Sequence, residues 1–262
     1  LVLGRDRLGI KPLLYAVTEH GIVFGSELRP LLEWPGVKRE LCPVGLQQFL
    51  THGYTLTPRT LVRGIQKLPP GHLLTYDAKT GRVQLRRYWN LEDAFRKGHD
   101  ADPERVREEF WQRLQHAVDR RLVADVPVGL YLSGGLDSTS VSAAATDIRK
   151  GLRSYCCEFQ ETNFSEGPHA RRVAEFLDLD HRSFTMPAPD GESFERLVRM
   201  ADEPLADTSF VACERLAAFA RESSTVILSG DGADEMLAGY VTYKANRYHR
   251  TMRWLPGSIR NW

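Results

Sequence analysis

Val128-Gly129-Leu130-Tyr131-Leu132-Ser133-Gly134-Gly135-Leu136-Asp137-Ser138 is the stretch that decides the fold. Its first five residues form an apolar run of the length expected for a buried strand. The remainder reads as a glycine-serine turn leading into a helix that begins near Ser138. Two adjacent glycines let the backbone approach a ligand closely and adopt positive φ. The amides that follow would lie at a helix N-terminus, where unpaired N–H groups and the macrodipole favour an anion. Ser133 and Ser138 can add hydroxyl donors. Asp137 is out of place in an anion site unless it holds a cation, and Mg²⁺ on phosphate oxygens would answer that. The lysine of G-x-x-x-x-G-K-[ST] is absent, so this is not a Walker A loop. The plainer alternative is a glycine-rich turn with a serine helix cap.

Working outward toward the C-terminus, strand and helix patterns alternate. Strands are expected at 153–159, 181–186 and 225–228, and helices at 167–177, 192–201 and 210–222. That alternation predicts an α/β fold with right-handed crossovers and a doubly wound parallel sheet. Before the strand at 128–132, Asp102-Pro103 reads as the cap of a long amphipathic helix. Val106, Phe110, Leu114, Ala117 and Leu122 form its apolar stripe. The first third of the chain is β-rich. Hairpins are expected from 13–17 with 21–24 and from 71–76 with 82–88. A short helix at 28–34 stops at Pro35-Gly36, and Pro43 suits the first position of a helix through His52. Residues 91–101, polar and carrying Gly98, read as a linker between domains at 1–90 and 102–262.

A second loop follows the last predicted strand: Leu228-Ser229-Gly230-Asp231-Gly232-Ala233-Asp234-Glu235. Carboxylates packed this densely are costly to bury without a cation or a donor. At the carboxyl end of a parallel sheet such a loop faces the ligand crevice. Asp234 is suited to share Mg²⁺ with Asp137, and Asp231 to orient an acceptor or handle a proton. The alternative is an exposed turn whose acidic residues start a helix.

Bulk properties exclude several classes. The 262 residues are 42% hydrophobic and 26% charged, an ordinary globular composition. Lys plus Arg number 35 against 34 Asp plus Glu, so no field of one sign recruits nucleic acid or an anionic membrane. Cys42, Cys156, Cys157 and Cys213 form no C-x-x-C pair or zinc spacing, which suggests a reduced, cytoplasmic protein. No apolar run reaches membrane-spanning length, and no signal peptide is evident. Leu1-Val2-Leu3 reads as mid-strand and Trp262 as an abrupt stop, so the chain is expected to be a fragment.

The hexapeptide Ser133 to Ser138 resembles the PP-loop of ATP pyrophosphatases, which bind the pyrophosphate portion of ATP and transfer AMP. The second loop resembles the S-G-E-G-[SAG]-D-E segment of class B, glutamine-dependent asparagine synthetases. Gly4-Arg5-Asp6, Leu8-Gly9-Ile10-Lys11-Pro12-Leu13 and Gly25-Ser26-Glu27 resemble the end of the N-terminal-nucleophile glutaminase domain in the same family. Phe164-Ser165-Glu166-Gly167-Pro168-His169-Ala170 and Asp202-Glu203-Pro204-Leu205-Ala206-Asp207 match further family segments. The first of these is expected to shape the nucleotide or acceptor pocket, and no chemistry is assigned to His169.

The resemblance implies an adenine nucleotide alpha hydrolase-like synthetase domain preceded by a β-rich glutaminase remnant. It implies ATP contacts from Leu132, Ser133, Gly134, Gly135, Leu136, Asp137, Ser138, Cys157, Ser229, Gly230 and Asp231. It gives Mg²⁺ to Asp137 and Asp234, the catalytic carboxylate position to Asp231, and the amino group of glutamine to Asp6. Sheet packing for Cys157, and an ion pair with Arg5 or Arg7 for Asp6, remain the alternatives. The implied reaction amidates L-aspartate through β-aspartyl-AMP, with ammonia from L-glutamine. No nucleic acid or membrane partner is implied, and a homodimer is among the assemblies allowed. The family nucleophile is an N-terminal Cys, for which internal Cys42 is no substitute, so this stretch alone is not expected to hydrolyse glutamine. Asp231 stands where well-known members carry Glu. That shorter carboxylate keeps open a relative acting on another carboxylate, of exopolysaccharide-associated or β-lactam synthetase-like type. A different PP-loop enzyme, or a non-catalytic nucleotide-binding protein, fits the Gly-Arg-Asp segment and the two loops less well.

Overall fold

The computed structural model describes residues 1–96, 102–160, 165–188 and 190–251. Gly98 and Phe164, named above, and the chain end at Trp262 lie outside the described residues. The chain forms two compact units: Leu1–Asp100 with Pro189–Val211, and Ala101–Ala188 with Ala212–Trp262.

In chain order the first unit begins with β1 (Val2–Gly4), β2 (Leu14–Thr18), β3 (Gly21–Gly25), α1 (Leu28–Leu32), α2 (Pro43–His52), β4 (Ile65–Lys67), β5 (His72–Tyr76), β6 (Val83–Arg87) and α3 (Leu91–Arg96). Both expected hairpins form. Leu14 pairs with Gly25 across β2 and β3, and His72 with Arg87 across β5 and β6. The two sheets are antiparallel, ordered β1-β5-β6 and β3-β2-β4. Leu14, Ala16, Leu28, Leu31 and Ile65 build one core cluster, and Leu3, Tyr15, Leu68 and Leu74 another. Each buried Leu or Ile side chain among them contributes on the order of 1.5–3 kcal/mol relative to exposure. Pro43 opens α2 as expected, with Cys42 Sγ accepting from the Gly45 amide at 3.4 Å. Two elements differ from the sequence reading. β4, a three-residue strand, adds to β2 from far along the chain, Ile65 pairing with Ala16, and α3 occupies part of the stretch read as linker.

The second unit contains α4 (Pro103–Leu122), β7 (Val128–Tyr131), α5 (Leu136–Ile148), β8 (Arg153–Glu158), α6 (Gly167–Phe176) and β9 (Asp180–Thr185). The chain then makes an excursion into the first unit with α7 (Gly191–Met200) and returns along α8 (Ser209–Arg221). It finishes with β10 (Val226–Leu228), α9 (Ala233–Leu237) and α10 (Val241–Thr251). The four strands make one parallel sheet in the order β10-β7-β8-β9. Its two faces follow the pleat. Val128 and Leu130 pack with Val118 and Leu122 of α4 and Ala144 and Ala145 of α5. Leu132 and Cys156 pack with Ala170 and Ala174 of α6. On the other face, Tyr155 and Phe184 meet Phe219 of α8, with ring centroids 6.0 and 5.0 Å apart. Helices thus cover both faces, and the predicted doubly wound α/β sheet is what forms.

Asp102 is the N-cap of α4, as expected, but its side chain does not do the capping. Pro103 holds the first helical position, but the Asp102 carboxylate makes no capping hydrogen bond; only its carbonyl accepts, from the Val106 amide at 3.0 Å. Val106 and Phe110 stay exposed, because packing against α5 engages the later turns, from Trp111 onward.

Candidate nucleotide site

β7 delivers the first loop. Leu132, buried beneath it, donates its amide to the Tyr155 carbonyl of β8 at 3.0 Å and so continues the sheet. Ser133 then folds the turn onto itself. Its Oγ lies 3.0 Å from Ser138 Oγ and accepts from the Gly135 amide at 3.2 Å, while its own amide donates to Ser138 Oγ at 3.3 Å. Gly134 has φ +79°, and a Cβ there would stand 2.6 Å from the His169 carbonyl carbon and 2.7 Å from the Ala170 amide nitrogen. Only glycine meets both demands, and the first turn of α6 presses directly on the loop as a result. The helix expected near Ser138 starts earlier, at Leu136, so Leu136 and Asp137 belong to its first turn. Gly135 is its N-cap, and no side chain caps it. A helix start without a capping side chain leaves first-turn amides open to an anion.

β10 delivers the second loop beside the first. A Cβ on Gly230 would lie 3.0 Å from the Ser138 amide nitrogen and 3.1 Å from both the carbonyl carbon and Cβ of Asp137. The second loop therefore rests on the first turn of α5. β7 and β10 are neighbours in the sheet, while β8 follows β7 on its other side. This is the position where strand order reverses, and open α/β sheets bind ligands outside the carboxyl ends of their strands there.

Within the second loop, Ser229 Oγ donates to Asp231 Oδ2 at 2.8 Å. Gly232, at φ +90°, turns the chain into α9. The Asp234 carboxylate lies against the Gly239 backbone. Glu235 accepts from the Tyr240 hydroxyl at 2.8 Å, and that bond pushes the Tyr240 hydroxyl pKa up to about 12. Among the described residues no three His, Cys, Asp or Glu side chains gather as a metal cage. A phosphate-bound Mg²⁺ needs no such cage, since one or two protein carboxylates and water suffice.

Cys156 and Cys157 take opposite faces of β8, as expected. Burial pushes the Cys156 thiol up to about 12, and burial also raises that of Cys157. Glu158, at the strand end, pairs with Arg171 and covers Gly167 at the start of α6. Two further residues belong to this edge, and the sequence did not assign them to it. Burial raises the Tyr131 hydroxyl pKa, with the nearby Cys213 and Asp231 adding to the shift. Tyr131 carried no signal beyond its strand, and Cys213 reaches the edge only through the placement of α8.

Asp6 lies in the first unit. Its carboxylate accepts from the amides of Leu8 at 3.2 Å, Ile10 at 3.0 Å and Lys11 at 3.0 Å, and these bonds lower its pKa. Arg5 turns away from it, donating to the carbonyls of Gly9, Lys11 and Leu68. The side chain thus organises the loop from Arg7 to Lys11.

A glycine-serine loop after the first strand of a doubly wound parallel sheet, closed by an acidic loop at the switch point, defines a PP-loop nucleotide-binding α/β domain. Family models agree with both parts of the chain: that of asparagine synthase matches residues 109–261, and that of the glutamine amidotransferase domain matches residues 1–89. The chain belongs to the asparagine synthase family. Similar curated proteins include Amidase chyE of Penicillium rubens, 32% identical over 264 residues covering 94% of this chain and 38% of that protein. Asparagine synthetase [glutamine-hydrolyzing] 3 of Bacillus subtilis is 32% identical over 262 residues, covering 92% and 41%. Asparagine synthetase [glutamine-hydrolyzing] 1 of the same organism is 28% identical over 257 residues, covering 98% and 40%. The chain thus spans about two fifths of the length of these relatives. Among solved structures, the glutamine-dependent NAD+ synthetase from Acinetobacter baumannii aligns at TM-score 0.39 and 17% identity, over 64% of this chain and 31% of that one.

Proposed function

We propose that the protein carrying this chain converts a carboxylate to an amide, with ATP as the activating substrate and glutamine as the nitrogen source. The acceptor in this reading is L-aspartate. Its side-chain carboxylate attacks the α-phosphorus, pyrophosphate leaves, and β-aspartyl-AMP forms. Ammonia released from glutamine then displaces AMP and yields asparagine. Adenylation is required because a free carboxylate is a poor acyl donor at neutral pH.

The observation that carries the reading is Gly230 resting on Asp137 and Ser138, which joins both loops at one sheet edge. The amides and hydroxyls of Ser133 to Ser138 hold the outer phosphates. The main chain at Leu132, whose side chain is buried against α6, and the Cys157 side chain form the adenine side in this reading, and Ser229 and Gly230 the other wall. Asp231, held by the Ser229 hydroxyl, is the carboxylate that orients the acceptor or takes the proton that ammonia loses as the amide forms. Mg²⁺ fits an edge where Asp137 stands in the first turn of α5 and an acidic loop lies against it. Asp137 and Asp234 would hold it, Asp234 by rotating away from Gly239. When bound, the ion draws charge toward the departing pyrophosphate. In the first unit, Asp6 receives the amino group of glutamine.

A second reading, amidation of another carboxylate, is favoured by the shorter Asp231 side chain and by the likeness to Amidase chyE. ATP–pyrophosphate exchange in the full-length protein separates the two. Exchange that depends on L-aspartate is expected. Exchange driven by a different carboxylate, with none from aspartate, moves the conclusion to the second reading. No exchange, together with no stabilisation by Mg·ATP, removes both.

A further inference from the structure

Residues 201–208 form a strap that follows α7 and leads into α8, and the strap is fastened into the first unit at three points. The Asp202 carboxylate accepts from the Leu28 amide and, at 3.2 Å, from the Arg29 amide, so it caps α1. Glu203 accepts from the Leu61 amide at 2.9 Å and from the Thr55 hydroxyl at 3.2 Å, and pairs with Lys67 at 2.6 Å. The Ala206 amide donates to the Gly53 carbonyl at 2.9 Å. The Glu203 and Lys67 side chains are only 17% and 22% exposed, unlike the surface ion pairs of this protein. A partly buried pair with every oxygen bonded holds its geometry far better than an exposed one.

Both ends of this arrangement lead toward chemistry. Lys67 precedes Leu68, whose carbonyl accepts from Arg5 at 2.8 Å, and the Asp6 carbonyl accepts from the Gly71 amide at 2.9 Å. The loop organised by Asp6 is thereby bonded to the segment that carries Lys67. At the other end, α8 passes from the first unit into the second between Val211 and Ala212 and packs there through Phe219 on β8 and β9. The strap therefore leads directly into the helix whose later turns back the sheet of the nucleotide site.

We propose that Glu203, with Lys67 and Asp202, is a positioning residue that fixes this strap to the amidotransferase unit, so that glutamine hydrolysis stays coupled to amide synthesis. The proposal rests on the glutamine-dependent amidation set out above. Glu203 touches no substrate; it acts through the strap that leads into α8.

The test uses the full-length protein and compares ammonia-driven amide formation, glutamate release from glutamine, and amide formed per glutamate released. In Glu203→Gln and Lys67→Met the first two remain near the unsubstituted protein, while amide per glutamate falls about twofold to thirtyfold. Lys67→Arg, which keeps the charge, retains the ratio. An unchanged ratio in both Glu203→Gln and Lys67→Met overturns the proposal. So does a parallel loss of all three readouts, which would mark the pair as merely structural. Thr55→Val removes one hydroxyl from the cluster and reports the same ratio if the charge variants fail to fold. Absence of ammonia-driven amide formation in the unsubstituted protein instead rejects the functional reading, and the coupling role with it.

Discussion

Gly134 shows how much of the site one residue determines. Its positive φ and its contact with His169 and Ala170 allow no side chain. Gly134→Ala is expected to strain the loop by about 1–3 kcal/mol and to lift it from α6. Thermal melts with and without Mg·ATP check this: the ligand-dependent rise in Tm should vanish while the ligand-free Tm falls modestly. A full ligand-dependent rise in the variant would mean that the loop does not hold the phosphates. This glycine was legible in the sequence because a second glycine and two serines surround it in a strand-to-helix context. Gly129 was not. A Cβ there would lie 2.6 Å from Tyr155 Cε2 and 2.8 Å from Ser224 Oγ. That demand comes from a neighbouring strand and from a turn almost a hundred residues later, so no local pattern announces it. Asp6 was legible as a special residue, yet its three amide bonds within the loop were not, since they depend on the local path of the chain.

At the level of elements, the sandwich of β8 and β9 with α6 holds a titratable group that matters for stability. His181 on β9 lies with Nδ1 2.9 Å from Ser154 Oγ, and its Nε2 is buried with no hydrogen-bond partner. Burial lowers its pKa below the ordinary 6.5, Arg171 pushes the same way, and Glu158 opposes. The folded protein therefore favours the neutral ring. The unfolded chain binds more protons once pH drops below 6.5, so the contribution of His181 is present above that pH and is lost as pH falls further. Denaturant midpoints at about pH 7.5 and about pH 5.5 should show a smaller acid loss in His181→Gln than in the unsubstituted protein. An equal loss would mean that other groups set the acid limit. Strands and helices with local periodicity, such as α2, β8, α6 and α8, were legible to within a residue or two. β4 was not, because three residues give too short a pattern and its pairing with β2 is non-local. The position of the α4 cap at Asp102 was legible, but the absence of a side-chain capping bond was not, because an aspartate before proline satisfies the sequence rule whether or not its carboxylate bonds.

For the whole molecule, the consequential feature is that chain order and compact units disagree. A cut in the 91–101 stretch looks like a domain boundary in the sequence, yet 189–211 packs with the residues before that cut. Nothing local in 201–208 reveals this, since its partners lie at α1, Gly53, Thr55, Leu61 and Lys67. A piece comprising residues 102–262 would retain the parallel sheet and both loops but lose every one of those partners. Asp202 and Glu203 would then have no amides to accept from, and the strap would gain nothing from staying ordered. Limited proteolysis read by mass spectrometry is expected to cut such a piece first within 189–211, while the 262-residue chain resists there under the same conditions. Adding residues 1–100 in trans should restore protection if the strap is held by these bonds rather than by covalent continuity. Equal resistance of the two at 189–211 would show that the excursion holds its own structure without residues 1–100.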